Sequence, residues 1–204
     1  MKIVFEDAAL AVIEKPSGLL AVPGKISSDS VIARAHARWP AAEGTLMVHR
    51  LDMDTSGLMI VALTRAAQSV IARAFADGRV EKRYIALLDG EIAGDAGTIR
   101  LATRLDVDDR PRQVVDPIHG KMGETEWAVV ARAPGVTRVE FRPRTGRTHQ
   151  LRLHAAAALG APILGDRLYG RPGSAPRLML HAERLALAHP SDGHPLVFEL
   201  AAPF

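Results

Sequence analysis

Apolar and polar positions change their spacing several times along this chain, and each change marks an element. Lys2 to Phe5 and Leu10 to Glu14 are short apolar-rich runs separated by the polar turn Glu6-Asp7, and both predict strands. Lys15 to Gly24 holds two prolines and two glycines, which disfavour a helix. After Ser30, a good N-cap, Val31, Ile32, Ala35 and Trp39 recur at helical spacing, and Pro40 ends the predicted helix. Leu58 to Leu63 is an unbroken apolar run, the pattern of a buried strand. Thr64 caps a second predicted helix, Arg65 to Asp77. Its apolar face is Val70, Ile71, Ala74 and Phe75, and Gly78 is its stop.

Beyond Gly78 the pattern is dominated by strands. Glu81 to Leu88 leads into the turn Asp89-Gly90. Gly97 to Arg104 and Arg112 to Val115 flank an acidic loop, which lacks the D-x-[DN]-x-[DN]-G pattern of a calcium loop and reads as a solvated turn. Thr125 to Arg132 and Val136 to Arg142, joined through Gly135, predict an antiparallel hairpin. A third helix follows, with Thr148 as N-cap, Leu151, Ala155, Ala158 and Leu159 on one face, and Gly160 as stop. Leu178 to Ala182, Arg184 to Ala188 and Leu196 to Glu199 predict closing strands. The fold class is α/β (α+β): a mixed, largely antiparallel central sheet with flanking helices, in a single domain covering residues 1–204.

Composition narrows the function. The chain has no cysteine, so neither a disulfide framework nor a thiolate zinc site is available. No apolar run reaches a membrane span and no signal peptide opens the chain, so a cytoplasmic location is expected. The net charge is only +3, but from Ala131 to Leu180 nine arginines face two acids, an excess of seven, which leaves the remainder of the chain at −4. Arginine suits bidentate contact with phosphate. Aromatic residues make up 4%, too few for a base-stacking sheet.

The densest chemistry lies in His49-Arg50-Leu51-Asp52-Met53-Asp54-Thr55-Ser56-Gly57, directly before the apolar strand. Short polar residues and glycine after an aspartate make a tight loop, so a carboxylate, Asp52, stands at the mouth of a core strand. A turn-capping aspartate would leave the same trace.

This stretch, HRLD followed by TSG, resembles the signature loop of the RluA family of pseudouridine synthases, in which the aspartate is catalytic. Lys82-Arg83-Tyr84-Ile85-Ala86 matches the family's K-x-Y-x-A motif, and Arg144-Thr145-Gly146-Arg147-Thr148-His149-Gln150-Leu151-Arg152-Leu153-His154 is similar to its T-G-R-x-H-Q-L-R-x-H motif. Lys15 to Gly24, the segment Ala161 to Gly170 and Leu178 to Ala182 also match in order. The resemblance is closest to short members without an extra N-terminal RNA-binding domain.

The resemblance implies an enzyme that isomerises uridine in structured RNA, with a large-subunit rRNA stem-loop and a tRNA anticodon stem-loop as targets. It implies a basic cleft with Asp52 on its floor, Tyr84 at the uracil as base or packing residue, and Arg152 paired with the aspartate. Asp52 acts either as nucleophile at C1′ or as base at C2′. Arg50 is expected to fill the space that the uridine vacates. Arg144, Arg147 and Arg171 are candidates for phosphate contact, with His49, Thr55 and His149 beside them as RNA-binding candidates. The reaction adds no atom, so no cofactor and no metal are expected, and the protein is expected to act as a monomer.

Three other readings compete. A metal hydrolase would need ligands on one helix face, and His149 and His154, at i and i+5, point to different faces. A glycosidase needs two separated carboxylates, and Asp52 and Asp54 are too close in sequence. A non-catalytic RNA-binding module would not need the Asp, Tyr and Arg trio, and separate measurements of binding and turnover in an Asp52 variant distinguish it.

Overall fold

A computed structural model describes residues 1–24 and 27–204. In chain order the elements are β1 (Lys2–Glu6), β2 (Leu10–Lys15), α1 (Val31–Arg38), β3 (Ser56–Ala62), α2 (Arg65–Ala76), β4 (Glu81–Asp89) and β5 (Ala96–Leu105). They continue with β6 (Gln113–Val115), β7 (Lys121–Ala133), β8 (Val136–Pro143), α3 (Gln150–Ala158), β9 (Leu180–Ala188) and β10 (Pro195–Glu199). The chain forms two compact units, residues 1–82 with 182–203, and residues 83–181 with Phe204, so it crosses between them inside β4 and inside β9.

In the first unit the strand order is β1-β2-β3-β9, with β10 on β9. β1–β2, β2–β3 and β9–β10 are antiparallel. Every residue of β3 is buried, as its unbroken apolar run requires. Leu58 and Ile60 of β3 join Leu10, Val12, Ile71, Leu185 and Phe198 in one core. Ser30 caps α1 by accepting from the Ala33 N–H at 3.1 Å, and Thr64 caps α2 from Ala67 at 3.1 Å, both as expected. The buried stripe of α2 runs through Ala67, Ile71 and Ala74. Val70 was expected on that stripe and is exposed, because it stands about 100° round the helix from Ile71.

The second unit carries the order β4-β8-β7-β5-β6, and its described ladders are all antiparallel. The predicted hairpin is β7–β8, in which Trp127 faces Phe141, and Phe141 in turn faces Tyr84 on β4. This row packs on a core that includes Leu88, Val139, Leu151, Ala155 and Ile163. α3 starts one residue later than its expected Thr148 cap. The residue before it, His149, is left-handed at φ 54° and makes no side-chain cap bond. The buried Gln150 side chain orders the turn instead. Its Oε1 accepts from the Arg147 N–H at 2.9 Å and the Thr145 hydroxyl at 2.8 Å, while Nε2 donates to the Glu124 carbonyl and Thr125 Oγ1 on β7. Ala158, expected on the buried face, is exposed. The two strands expected on either side of Glu183 are one strand, β9, which runs through Glu183 without a break. Among the described residues no helix is long and apolar enough to cross a membrane.

Candidate active site

The expected site residues divide between the units. His49, Arg50, Asp52 and Thr55 lie in the first, and Tyr84, Arg144, Arg147, His149, Arg152 and Arg171 lie in the second.

In the first unit the Asp52 loop is fixed through its backbone. The Asp52 carbonyl accepts from the Thr55 N–H at 3.2 Å, closing the turn. The Met53 carbonyl accepts from the Gly18 N–H at 2.9 Å and from Lys15 Nζ at 2.8 Å, and the Asp54 carbonyl from Ser17 Oγ at 2.7 Å. Three successive carbonyls are thus pinned, mostly by the Pro- and Gly-rich segment after β2, which works as scaffold beneath the loop. Asp52 and Asp54 themselves are half-buried and Arg50 is exposed.

Lys15 is the centre of that scaffold, and sequence reasoning passed over it. It is fully buried, and Nζ donates to the carbonyls of Pro16, Leu19 and Met53, which uses all three ammonium protons. Burial pushes its pKa down to about 8, and the charges of Asp52 and Asp54 oppose that fall. A cation therefore stands beneath the two carboxylates at neutral pH. The available signal was a lysine two residues after the unbroken apolar run Leu10 to Ile13, at the end of the same strand.

His49 braces the other end of the loop. Its Nε2 accepts the Ile60 N–H of β3 at 2.9 Å, and its ring stacks on Phe75 at 4.3 Å. Burial, with the Lys82 charge second, pushes its pKa down to about 3, so it is neutral and its proton sits on Nδ1. Thr55 is 3% exposed, its amide committed to the turn. Gly57 has φ 118°, and a Cβ there would run into the backbone of Ala182, so only glycine lets β3 lie this close to β9.

In the second unit Tyr84 is half-buried on β4 against the core. Arg152, on the first turn of α3, is buried and makes a side-on bidentate pair with Asp166, Nε to Oδ2 at 2.8 Å and Nη2 to Oδ1 at 2.6 Å. Burial alone would raise the Asp166 pKa. Arg152 and the backbone N–H groups of Leu168 and Tyr169 outweigh burial and hold it below the usual carboxylate range. Asp166 falls in the matched segment Ala161 to Gly170, but nothing local marks it as the partner of a residue 14 positions away.

The phosphate candidates are exposed and carry intramolecular partners. Arg144 forms a bidentate pair with Glu126 and Arg171 with Asp89, while Arg147 Nε donates to the Met122 carbonyl. His149 Nδ1 shares a hydrogen bond of 2.9 Å with the Tyr169 hydroxyl. His154 is fully buried beside Gly123, and neither ring nitrogen has a partner among the described residues. Burial pushes its pKa down to about 4. Among the described residues the one His/Asp group with metal-ligand spacing is His189, Asp192 and His194, on the turn between β9 and β10. Asp192 also accepts the His194 N–H, so the turn itself accounts for part of that closeness.

The family model for RNA pseudouridylate synthase matches residues 9–157. The chain is 44% identical to the dual-specificity RNA pseudouridine synthase RluA of Yersinia pestis over 210 residues, covering all of both chains. It is also 44% identical to the protein of that name from Escherichia coli K12, covering 99% of this chain and 93% of that one. Among solved structures, human RNA pseudouridylate synthase domain containing 1 superposes with a TM-score of 0.81 at 31% identity, covering all of this chain and 84% of that one. The domain containing 4 protein gives 0.79 at 25% identity, covering 99% and 88%. The matched stretch carries the pinned Asp52 loop, Tyr84 and Arg152, and the likeness to the curated relatives runs the full length, so the chain belongs to the RluA family of RNA pseudouridine synthases.

Proposed function

We propose that this synthase converts a uridine of a folded RNA to pseudouridine, with Asp52 acting at the ribose of a nucleotide drawn out of its stack. The observation that carries the reading is a half-buried carboxylate on a loop whose three carbonyls are tied down, at the family's aspartate position. In the reaction the C1′–N1 bond breaks, the uracil turns, and C1′ bonds to C5. The C5 proton leaves and N1 ends protonated, so atoms balance without a cofactor or a metal. Two roles fit Asp52: attack on C1′, or removal of the C2′ proton.

Extrusion of the base costs roughly a few kcal/mol. Arg50, exposed and two residues before Asp52, is the candidate to occupy the vacated space. Tyr84 and Arg152 are the remaining catalytic residues, by their match to the family motifs. Arg144, Arg147, His149 and Arg171 contact the RNA, while His49 and Thr55 shape the loop. Substrates are an rRNA stem-loop and a tRNA anticodon stem-loop, a reading that the word dual-specificity in the names of the relatives supports. The family motifs fall in both units, which supports residues 1–204 working as one catalytic domain. The protein acts as a monomer in the cytoplasm, where such RNAs are made.

Asp52→Asn and Asp52→Ala are expected to abolish pseudouridine formation while RNA affinity stays within about tenfold, because phosphate contacts dominate binding. Turnover retained in either variant would remove Asp52 from the mechanism.

A further inference from the structure

Arg152 and His149 meet the same residue from two directions. The Tyr169 ring lies 5.4 Å from the Arg152 guanidinium, and the Tyr169 hydroxyl lies 2.9 Å from His149 Nδ1. That hydroxyl also accepts the Gln113 N–H at 2.8 Å, which anchors the tyrosine to β6. Asp166 stands three residues before it. Its Oδ1 accepts the backbone N–H groups of Leu168 and Tyr169 as well as Arg152 Nη2, so one carboxylate fixes both its own turn and the guanidinium. The Arg152 and Asp166 side chains are 4% and 0% exposed. Water therefore does not screen the pair, and breaking it would leave a buried charge uncompensated.

We propose that Asp166 and Tyr169 are positioning residues, which hold the Arg152 guanidinium and the His149 imidazole in a fixed relation before RNA arrives. The pair with Asp166 is neutral as a whole. Arg152 then serves as a preset, planar set of N–H donors more than as a net positive charge. Two of its five donors are committed to Asp166, and these set the plane of the others. The inference rests on the reading that Arg152 serves the reaction.

The test is a kinetic cycle on a stem-loop RNA, with kcat, KM and RNA affinity measured for Arg152→Lys, Asp166→Asn and the double variant. Asp166→Asn is expected to lower kcat by about tenfold or more with affinity within about threefold, the pattern of a displaced group and not of lost binding. In the Arg152→Lys background it should add less than about twofold, because its effect passes through the guanidinium. Effects that multiply in the double variant overturn the proposal, as does a folded Asp166→Asn with the wild-type kcat beside a slow Arg152→Lys. A wild-type rate in Arg152→Lys strikes instead at the reading of Arg152. Where Asp166→Asn does not fold, Tyr169 carries the test. Tyr169→Leu removes the ring face and should cost about tenfold in kcat. Tyr169→Phe keeps the face and should cost less, its main loss being RNA affinity through His149. Equal, wild-type kcat in both tyrosine variants overturns the proposal.

Discussion

Lys15 illustrates how one buried side chain fixes the shape of the Asp52 loop. Its ammonium is taken fully out of water, and three carbonyls with two neighbouring carboxylates offset that cost. Lys15→Met replaces it by an apolar chain of similar length and removes the desolvation penalty together with the bonds. Stability in urea is expected to fall by about 1–3 kcal/mol, because carbonyls that Lys15 served lose their donor, while turnover falls by about tenfold or more as the loop loosens. Unimpaired turnover in Lys15→Met would show that the loop keeps its shape without this cation. His154 gives a second prediction, this time of pH dependence. The folded chain holds its pKa at about 4 against 6.5 in the unfolded chain. Between those values the unfolded chain binds a proton that the folded chain refuses, so stability falls as pH drops through the window, by about 2 kcal/mol at pH 5. His154→Leu should reduce the fall of the urea midpoint over pH 6.5 to 5, leaving the share that comes from His49, and an unaltered pH slope would contradict the assignment. At this scale the motifs that hold Asp52, Tyr84 and Arg152 were legible because they are local. Lys15 and Asp166 were not legible as partners, because only tertiary burial decides what a charged group must bond.

Elements were legible where the pattern is strictly local. The caps at Ser30 and Thr64 and the buried run of β3 follow from neighbours in sequence. The start of α3 did not follow, because the Gln150 side chain is satisfied by β7, and that strand outcompetes a Thr148 cap. The phase of α2 was off by a residue at Val70 for a similar reason: the face that packs on β3 is chosen by the sheet. The approach of β3 to β9 yields a prediction at this scale. Gly57→Ala places a methyl group against the Ala182 backbone at a φ that side chains rarely adopt. A loss of at least about 3 kcal/mol is expected, read as a lowered urea midpoint and Tm. A variant as stable as wild type would mean that the strands separate at little cost.

For the molecule as a whole, the linear charge count overstates the field that RNA meets. Of the nine arginines in the basic run, Arg132, Arg144 and Arg171 are paired with Asp95, Glu126 and Asp89, all from outside it. A sequence count cannot see these pairs, because they join strands distant in the chain. The salt dependence of RNA binding tests the consequence. With roughly four to six phosphates neutralised, log K should fall with log[salt] at a slope of about −3 to −5. Arg144 must leave Glu126 to reach a phosphate, so Arg144→Ala should change the slope by less than the about 0.7–0.9 expected per phosphate. Glu126→Gln should steepen it and tighten binding severalfold at low salt. A flat wild-type salt series, or a Glu126→Gln variant indistinguishable from wild type, would place the RNA track away from β7.

The hydrogen bond from the Gly18 amide to the Met53 carbonyl gives the Asp52 loop its own clock. The two sides of that tie, at Gly18 and Met53, lie in separate loop segments outside the strands, so the amide hydrogen can exchange with solvent whenever the loop lifts off, without any strand unfolding. The amides of β3 exchange only when the sheet opens. With fast reclosing, the logarithm of the protection factor at Gly18, times RT, is the free energy of keeping that loop closed, and β3 serves as the reference for sheet opening, all on a resting protein with no substrate turned over. RNA that engages Asp52 should slow exchange at Gly18 and leave β3 unchanged, and Lys15→Met should quicken it. The order of the Asp52 loop thus becomes a quantity that can be read at one atom.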